Sequence, residues 1–369
     1  MSAIPDKIQT WQMVKPWGKD KETGETIEGK IEKTEIPVPE LKEDEVLVEV
    51  AGCGVCHTDL GYFYDGVPTV SKPPLALGHE ISGTIVAGDE SWMEKEVIIP
   101  GVMPCRKCYL CKTGRGNRCL AQKMPGNSMG LYGGFSSHIP VPSVDLCEIQ
   151  DRGDTPLSHF AVIADAATTP YQAAKRADLQ PGDNVIVVGI TGGVGLYQGQ
   201  VAKALGAKTV IGIARNPEKL DRALSYGADF VINSKEKDPR GVNKEFRTIC
   251  KENGLPNYGW KIFEVTGTKG GQEIALALLG FIGKLIVVGF GMQKVDYSIG
   301  RLMAFDAELI GTWACLPEYY PIVLEMALSK KIEIEPFLET RPMSTIVETF
   351  DEVHKAGSPA RRIVLTPDF

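Results

Sequence analysis

The chain has 369 residues, room for two or three domains of ordinary size. Hydrophobic residues make up 43% and charged residues 24%, a balance that excludes a disordered chain. The net charge of −7 excludes the basic footprint of a nucleic-acid partner.

No run of 18 apolar residues occurs, so no membrane span is expected. The opening MSAIPDKIQTWQMVKPWGKDK lacks the basic and then apolar order of a secretory signal, which predicts a cytoplasmic protein. The early lysines (Lys15, Lys19, Lys21, Lys30, Lys33) are interleaved with acids and read as solvated surface. Forty glycines imply many turns and at least one close approach of backbone to a ligand.

Up to about residue 165 the chain reads as short strands broken by Gly and Pro: 46–50 (VLVEV), 81–87, 96–99 and 133–141. Such spacing predicts an antiparallel, barrel-like domain. This half also carries six of the nine cysteines, from Cys53 to Cys119; Cys147, Cys250 and Cys315 are scattered. In a large cytosolic chain, clustered cysteines point to metal rather than disulfides.

Cys105, Cys108, Cys111 and Cys119 are spaced C-x2-C-x2-C-x7-C, which allows four thiolates to surround one ion. Zinc is the expected occupant; the alternatives are an iron–sulfur cluster, whose Cys-Pro ending is absent, or free thiols. The basic neighbours Arg106, Lys107, Lys112, Arg115 and Arg118 are expected to offset the thiolate charge. Four protein ligands leave no open position, so the site reads as structural. Earlier, the turn-rich AGCGVCHTDL holds Cys56, His57, Thr58 and Asp59. His79 follows 23 residues after Cys56, in LGHE with Glu80. Cys and His from two loops could form half of an open zinc site; each alone would pass for an ordinary core or surface residue.

From about residue 168 the grammar changes. Strands are expected at 184–188, 209–213, 230–232, 261–265, 285–288 and 309–311, and helices at 193–205, 217–226 and 318–328. Alternating strand and helix predicts a doubly wound parallel sheet, an α/β fold. A strand-like tail at 361–365 could rejoin the first domain. The first predicted strand of this half runs into Gly189-Ile190-Thr191-Gly192-Gly193-Val194-Gly195 and then a helix. That arrangement presents helix amides to a dinucleotide pyrophosphate. The next strand ends in Ala214-Arg215-Asn216, where an acid would ordinarily hold the ribose. Arg215 would suit the 2′-phosphate of NADP, or it stacks on adenine or faces solvent.

Taken together, these motifs resemble the zinc-containing medium-chain alcohol dehydrogenases over nearly the whole chain. The resemblance implies a GroES-like β-barrel-type catalytic domain at 1–166 plus 330–369, and a Rossmann domain at 167–329. It implies Cys56 and His79 as ligands of a catalytic zinc, with Glu80 as a nearby acid that can approach the metal. The third ligand position, commonly Cys, falls on Asp165 in IADAATTPY, where a carboxylate is chemically competent. Thr58 matches the hydroxyl that hands on the substrate proton, and His57 a position that contacts the cofactor pyrophosphate. The usual relay histidine position is Gly61, which leaves the proton's exit route open.

Cofactor residues implied are His57, Gly189, Gly192, Gly193, Val194, Gly195 and Arg215. The cofactors are one catalytic and one structural zinc and NAD, with NADP open. Further runs (PLALGHEISG, CKTGRG, AQKMPGN, GGFSSHI, GWKIFE, LMAF) resemble a narrower branch that oxidises alicyclic hydroxyenoyl-CoA thioesters. The partners implied are a CoA-thioester substrate and further copies of the chain, as dimer or tetramer. Three rivals stand beside this reading. A non-catalytic nucleotide-binding protein would not need Cys56, Thr58, His79 and Glu80, and a zinc-free quinone or enoyl reductase would not need Cys56, His79 and Asp165 together. A simple alcohol or polyol dehydrogenase would need no room for CoA.

Overall fold

Glu45–Gly54 is the strand on which the first unit is assembled. Its run of Val and Leu is almost wholly buried because it is paired along both edges. Glu80–Ala87 lies antiparallel on one side. On the other, His138–Pro142 pairs with its first half and the tail strand Arg362–Thr366 with its last residues. Register shifts after Leu47 and Val50 bend the strand, as bulges do, and all three of its partners run antiparallel to it. The computed structural model in which these pairings are seen describes residues 5–20, 22–356 and 361–369; Lys21 and the first four residues lie outside them.

The full seven-stranded sheet runs Cys147–Glu148, Glu96–Ile99, Glu80–Ala87, Glu45–Gly54, Arg362–Thr366, Leu338–Pro342, with His138–Pro142 added on Glu45–Gly54. Val46, Val48, Ile81, Ile85, Val97, Ile99, Ile139, Ile363 and Leu365 fill its core. The strand-like tail therefore pairs with a strand of the first half of the chain, as expected.

Lys7–Lys15 and Lys30–Pro37 form an antiparallel pair that the charge-rich sequence concealed. The lysines at 15, 19, 30 and 33 are exposed as expected, while Ile8 and Met13 face inward. The expected strand at 133–141 begins only at His138. Gly133 and Gly134 instead pass under the 76–78 backbone, where a Cβ on Gly133 would lie 2.4 Å from the Ala76 carbonyl oxygen. Backbone bonds from Gly134 N to Gly78 O and from Phe135 N to Leu77 O hold this crossing.

The second unit is a six-stranded parallel sheet, ordered Phe230–Asn233, Thr209–Ala214, Asn184–Val188, Lys261–Glu264, Lys284–Val287, Glu308–Gly311. Its inner strands Thr209–Ala214, Asn184–Val188 and Lys261–Glu264 are buried almost throughout, and the helices Gly195–Ala204, Pro217–Ser225, Pro239–Glu252 and Lys269–Leu278 pack on the sheet. The order reverses at Asn184–Val188, the strand that feeds the glycine turn, and ligands bind at such switch points.

The chain divides into Met1–Thr168 with Ala314–Glu325 and Ile334–Phe369, and Thr169–Trp313 with Met326–Glu333. The sequence reading gives 314–329 to the second part and 330–333 to the first; here 314–325 groups with the first unit and 330–333 with the second. No helix among the described residues is long and apolar enough to cross a membrane.

Candidate metal centres and dinucleotide turn

The four cysteines of the C-x2-C-x2-C-x7-C run converge. Cys108 Sγ lies 3.4 Å from Cys111 Sγ and 3.7 Å from Cys119 Sγ, and Cys105 Sγ lies 3.9 Å from Cys111 Sγ. Zinc bound to thiolates at about 2.3 Å in a tetrahedron would separate its sulfurs by about 3.8 Å. The set therefore fits a zinc ion with no position left for substrate. The amides of Lys107 and Cys108 hold the Cys105 thiol down to about 6, while burial pushes Cys111 up to about 12. Arg106 does not balance the thiolates as the sequence suggests. Its guanidinium pairs with the buried Asp145 carboxylate.

The second set is Cys56, His79, Glu80 and Asp165, whose ligand atoms all lie within 4.8 Å of one another. The segment read as turn-rich is in fact a strand end followed by a helix, His57–Tyr64, with Cys56 as its N-cap. Asp59, in the first helical turn, reaches back to the Cys56 amide at 3.4 Å, in the manner of a capping box. The same carboxylate, fully buried, accepts from Gly78 N at 3.0 Å and lies 3.3 Å from His79 Nδ1. With Nδ1 so engaged, Nε2 is left for the site, and it lies 3.7 Å from Asp165 Oδ2. Cys56 Sγ is also 3.7 Å from Asp165 Oδ2. A sulfur and a carboxylate oxygen on one tetrahedral zinc would stand about 3.6 Å apart. Burial alone would lower the His79 pKa, but Asp59, Cys56 and Asp165 together raise it well above the ordinary value. Two carboxyl groups and a thiol gathered around a buried imidazole make a donor set that fits a cation.

Glu80 is buried and takes both arms of the Arg362 guanidinium, Nε donating to Oε2 at 2.7 Å and Nη2 to Oε1. Burial pushes Glu80 up to about 7, against the pull of Arg362. Gly54 is required beside it, because a Cβ there would lie 2.1 Å from Glu80 Oε2. Neither Asp59 nor Arg362 was assigned a role from the sequence. Asp59 could have been found from its place three residues after Cys56; Arg362 is 282 residues from Glu80 and no spacing signals it.

Replacing Arg362 with Met should cost about 3–5 kcal/mol, since it strands a buried carboxylate. Urea unfolding of Arg362→Met checks this, and a variant as stable as the parent would show that the pair contributes nothing.

Thr58 and His57 sit in the first turn of the helix that Cys56 caps, Thr58 half-buried and His57 exposed. Gly61, in the same helix, is buried against Val67, where a Cβ would come within 3.3 Å, and bears no proton-carrying group.

In the second unit, Gly189 has φ +97 and follows the strand Asn184–Val188 directly. A Cβ on Gly195 would lie 2.0 Å from Gly189 O, so the turn closes only with glycine there. Gly192, Gly193 and Val194 are half-buried at the start of the helix Gly195–Ala204, whose N-terminus has no capping side chain. Free amides at that end suit an anionic group. The Glu264 carboxylate accepts from Thr266 N at 2.8 Å and Gly267 N at 3.2 Å, fixing a turn that packs on Gly189. This brace was not read from the sequence. Arg215 is exposed at the end of Thr209–Ala214.

Comparison with known proteins accords with this geometry. Residues 42–151 match the alcohol dehydrogenase GroES-like domain and residues 193–329 the zinc-binding dehydrogenase domain. The chain is 34% identical to sorbitol dehydrogenase of Bacillus subtilis, over 73% of this chain and 74% of that one. It is 29% identical to an NAD-dependent alcohol dehydrogenase of Sulfolobus acidocaldarius, over 87% and 90%. The crystal structure of galactitol-1-phosphate dehydrogenase from Escherichia coli superimposes with a TM-score of 0.82 at 25% identity, covering 97% of this chain and 100% of that one. The chain belongs to the zinc-type medium-chain alcohol dehydrogenase family. It is a zinc-dependent oxidoreductase of the alcohol and polyol dehydrogenase type, with NAD(P) as its family's cofactor.

Proposed function

We propose that the chain oxidises 6-hydroxycyclohex-1-ene-1-carbonyl-CoA to 6-oxocyclohex-1-ene-1-carbonyl-CoA with NAD as acceptor, as a step of anaerobic benzoyl-CoA degradation. The observation that carries the alcohol-oxidising part is the convergence of Cys56, His79 and Asp165. The substrate itself is supported by the sequence runs PLALGHEISG, AQKMPGN and GGFSSHI.

When bound, zinc supplies Lewis acidity toward an alcohol oxygen, and NAD supplies the acceptor for an electron pair. The chain's own residues do the rest. Cys56, His79 and Asp165 hold the ion, with Glu80 near enough to approach it. Asp59 fixes the imidazole so that Nε2 faces the ion, and such a partner raises ligand basicity. Thr58 would hand on the proton that the alcohol gives up, its hydroxyl accepting that proton while releasing its own toward solvent. Gly192, Gly193, Val194 and Gly195 offer backbone to the pyrophosphate while Gly189 makes the turn. Cys105, Cys108, Cys111 and Cys119 hold the second zinc and take no part in the reaction.

The cytoplasm is the proposed compartment and a homo-oligomer the proposed state. The latter is supported by the edge strand Glu308–Gly311, next in sequence to a helix bearing Met303 at 82% exposure. Exposed strand edges and apolar side chains of this kind commonly pair with another copy.

A second reading is favoured by the sorbitol dehydrogenase relative: oxidation of a simple secondary alcohol or polyol. One assay separates them. The hydroxyenoyl-CoA, sorbitol and a small secondary alcohol are compared by kcat/KM, each with NAD and NADP, in the parent and in Arg215→Ala. The proposal expects the CoA ester with NAD to lead. A polyol in the lead overturns the substrate. An NADP preference that collapses in Arg215→Ala overturns the cofactor and makes Arg215 the phosphate reader.

A further inference from the structure

The hydroxyl of Tyr320 stands at a junction that none of the groups above explains. Tyr320 opens the helix Tyr320–Leu328, and its side chain is buried at 1% exposure. The hydroxyl donates to the carbonyl oxygen of Ala164 at 2.6 Å and accepts from the amide of Gly101 at 3.0 Å. Both partners adjoin the second metal set. Ala164 immediately precedes Asp165. Gly101 packs against His79: a Cβ there would lie 3.6 Å from the carbonyl oxygens of both His79 and Ala164, and 4.0 Å from His79 Cδ2.

Asp165 stands where the local backbone leaves regular structure. It ends the 3-10 helix Leu157–Ala164 with φ −144 and ψ −56, outside helical geometry. Its own carbonyl accepts from Thr168 Oγ1 at 3.4 Å, a long bond. The Ala164 carbonyl and the Asp165 amide belong to one planar peptide unit. Gripping that carbonyl therefore fixes the peptide plane from which the Asp165 side chain departs.

We infer that Tyr320 is a positioning residue for Asp165, its hydroxyl locking the 164–165 peptide and tying it to the segment beside His79. The inference rests on Asp165 being a metal ligand, as proposed above. Groups that orient a ligand in this way typically change metal affinity 10- to 100-fold, roughly, when removed.

The test is competition for zinc by a colorimetric chelator, read as the affinity of the more weakly held of two zincs. Tyr320→Phe, which keeps the ring and its packing, should bind that zinc about 10- to 100-fold more weakly, with the other zinc unchanged. Ser82→Ala is the control. It removes an equally buried hydroxyl that donates to Leu157 O at 2.8 Å, at the other end of the same 3-10 segment. Its zinc affinity should match the parent's even where its melting temperature falls. In an Asp165→Ala background, Tyr320→Phe should weaken zinc no further, because the two act as one unit.

Parent-like zinc affinity in Tyr320→Phe, with Asp165→Ala weakened, overturns the inference alone. The same holds if the loss persists undiminished in the Asp165→Ala background. Parent-like affinity in Asp165→Ala overturns the ligand reading beneath it. If Tyr320→Phe does not fold, site-specific 3-fluorotyrosine at position 320 takes its place in the cobalt-loaded protein. The visible cobalt spectrum should then shift, and an unchanged spectrum overturns the inference.

Discussion

Asp165→Ala should retain its fold and the zinc of the four-cysteine site, bind the second zinc far more weakly so that little survives purification, and fall in kcat by about 10²–10³-fold or more. The side chain is the group common to the site: Cys56 Sγ and His79 Nε2 each stand 3.7 Å from its Oδ2. Alanine would leave Cys56, His79 and Glu80, and Glu80 is already engaged by Arg362. Two good ligands and a committed carboxylate hold a catalytic ion poorly, since such sites keep three protein ligands and one open position. The fold should survive because the Asp165 side chain is about 20% exposed and its chain neighbours Ala164, Ala166 and Ala167 are buried apolar residues that the substitution leaves in place. Metal analysis and steady-state kinetics on the purified variant check this. Full activity with two zincs retained would remove Asp165 from the ligand set.

Cys111→Ser should lose the structural zinc and several kcal/mol of stability, with activity falling only as the protein unfolds. The Cys111 sulfur lies 3.4 Å from Cys108 Sγ and 3.9 Å from Cys105 Sγ. Little else orders this segment: the helix Tyr109–Lys112 has four residues and no buried one. An isolated helix that short is far below the length that is stable in water, so the ion supplies the order. Structural zinc in small peptides contributes about 10–16 kcal/mol of apparent binding free energy at neutral pH, and a share of that is folding energy here. Thermal melts of parent and Cys111→Ser with and without added zinc measure the loss. Identical melting would show that the four sulfurs do not hold a metal.

What could be read from the sequence and what could not have physical reasons. The parallel sheet was legible because its strands are short apolar runs closed by Gly or Asn, and local pattern fixes such elements. The four-cysteine site was legible because its ligands lie within one short segment. Asp165 was reached through family resemblance and then found beside Cys56, 109 residues away. The helix His57–Tyr64 was misread as turn because Cys, His, Thr, Asp and Gly are weak helix formers; its stability comes from the Asp59 cap and from burial of Leu60, Tyr62 and Phe63. Gly133 and Gly134 looked like part of a strand, but they serve a close backbone crossing. Arg362, Glu264 and Tyr320 were invisible because each acts across the fold or within a turn, where no spacing rule reaches. Arg106 shows the converse error: a basic residue next to thiolates in sequence turns to Asp145 in space.

The most direct test of the account is stepwise zinc removal from the full-length protein, followed by metal analysis, circular dichroism and activity together. The account predicts two zincs per chain at the start. Mild chelation should then remove one, abolishing alcohol oxidation while the circular dichroism spectrum and the four-cysteine zinc remain, and added zinc should restore the activity. Undiminished oxidation by protein stripped of that zinc would contradict it.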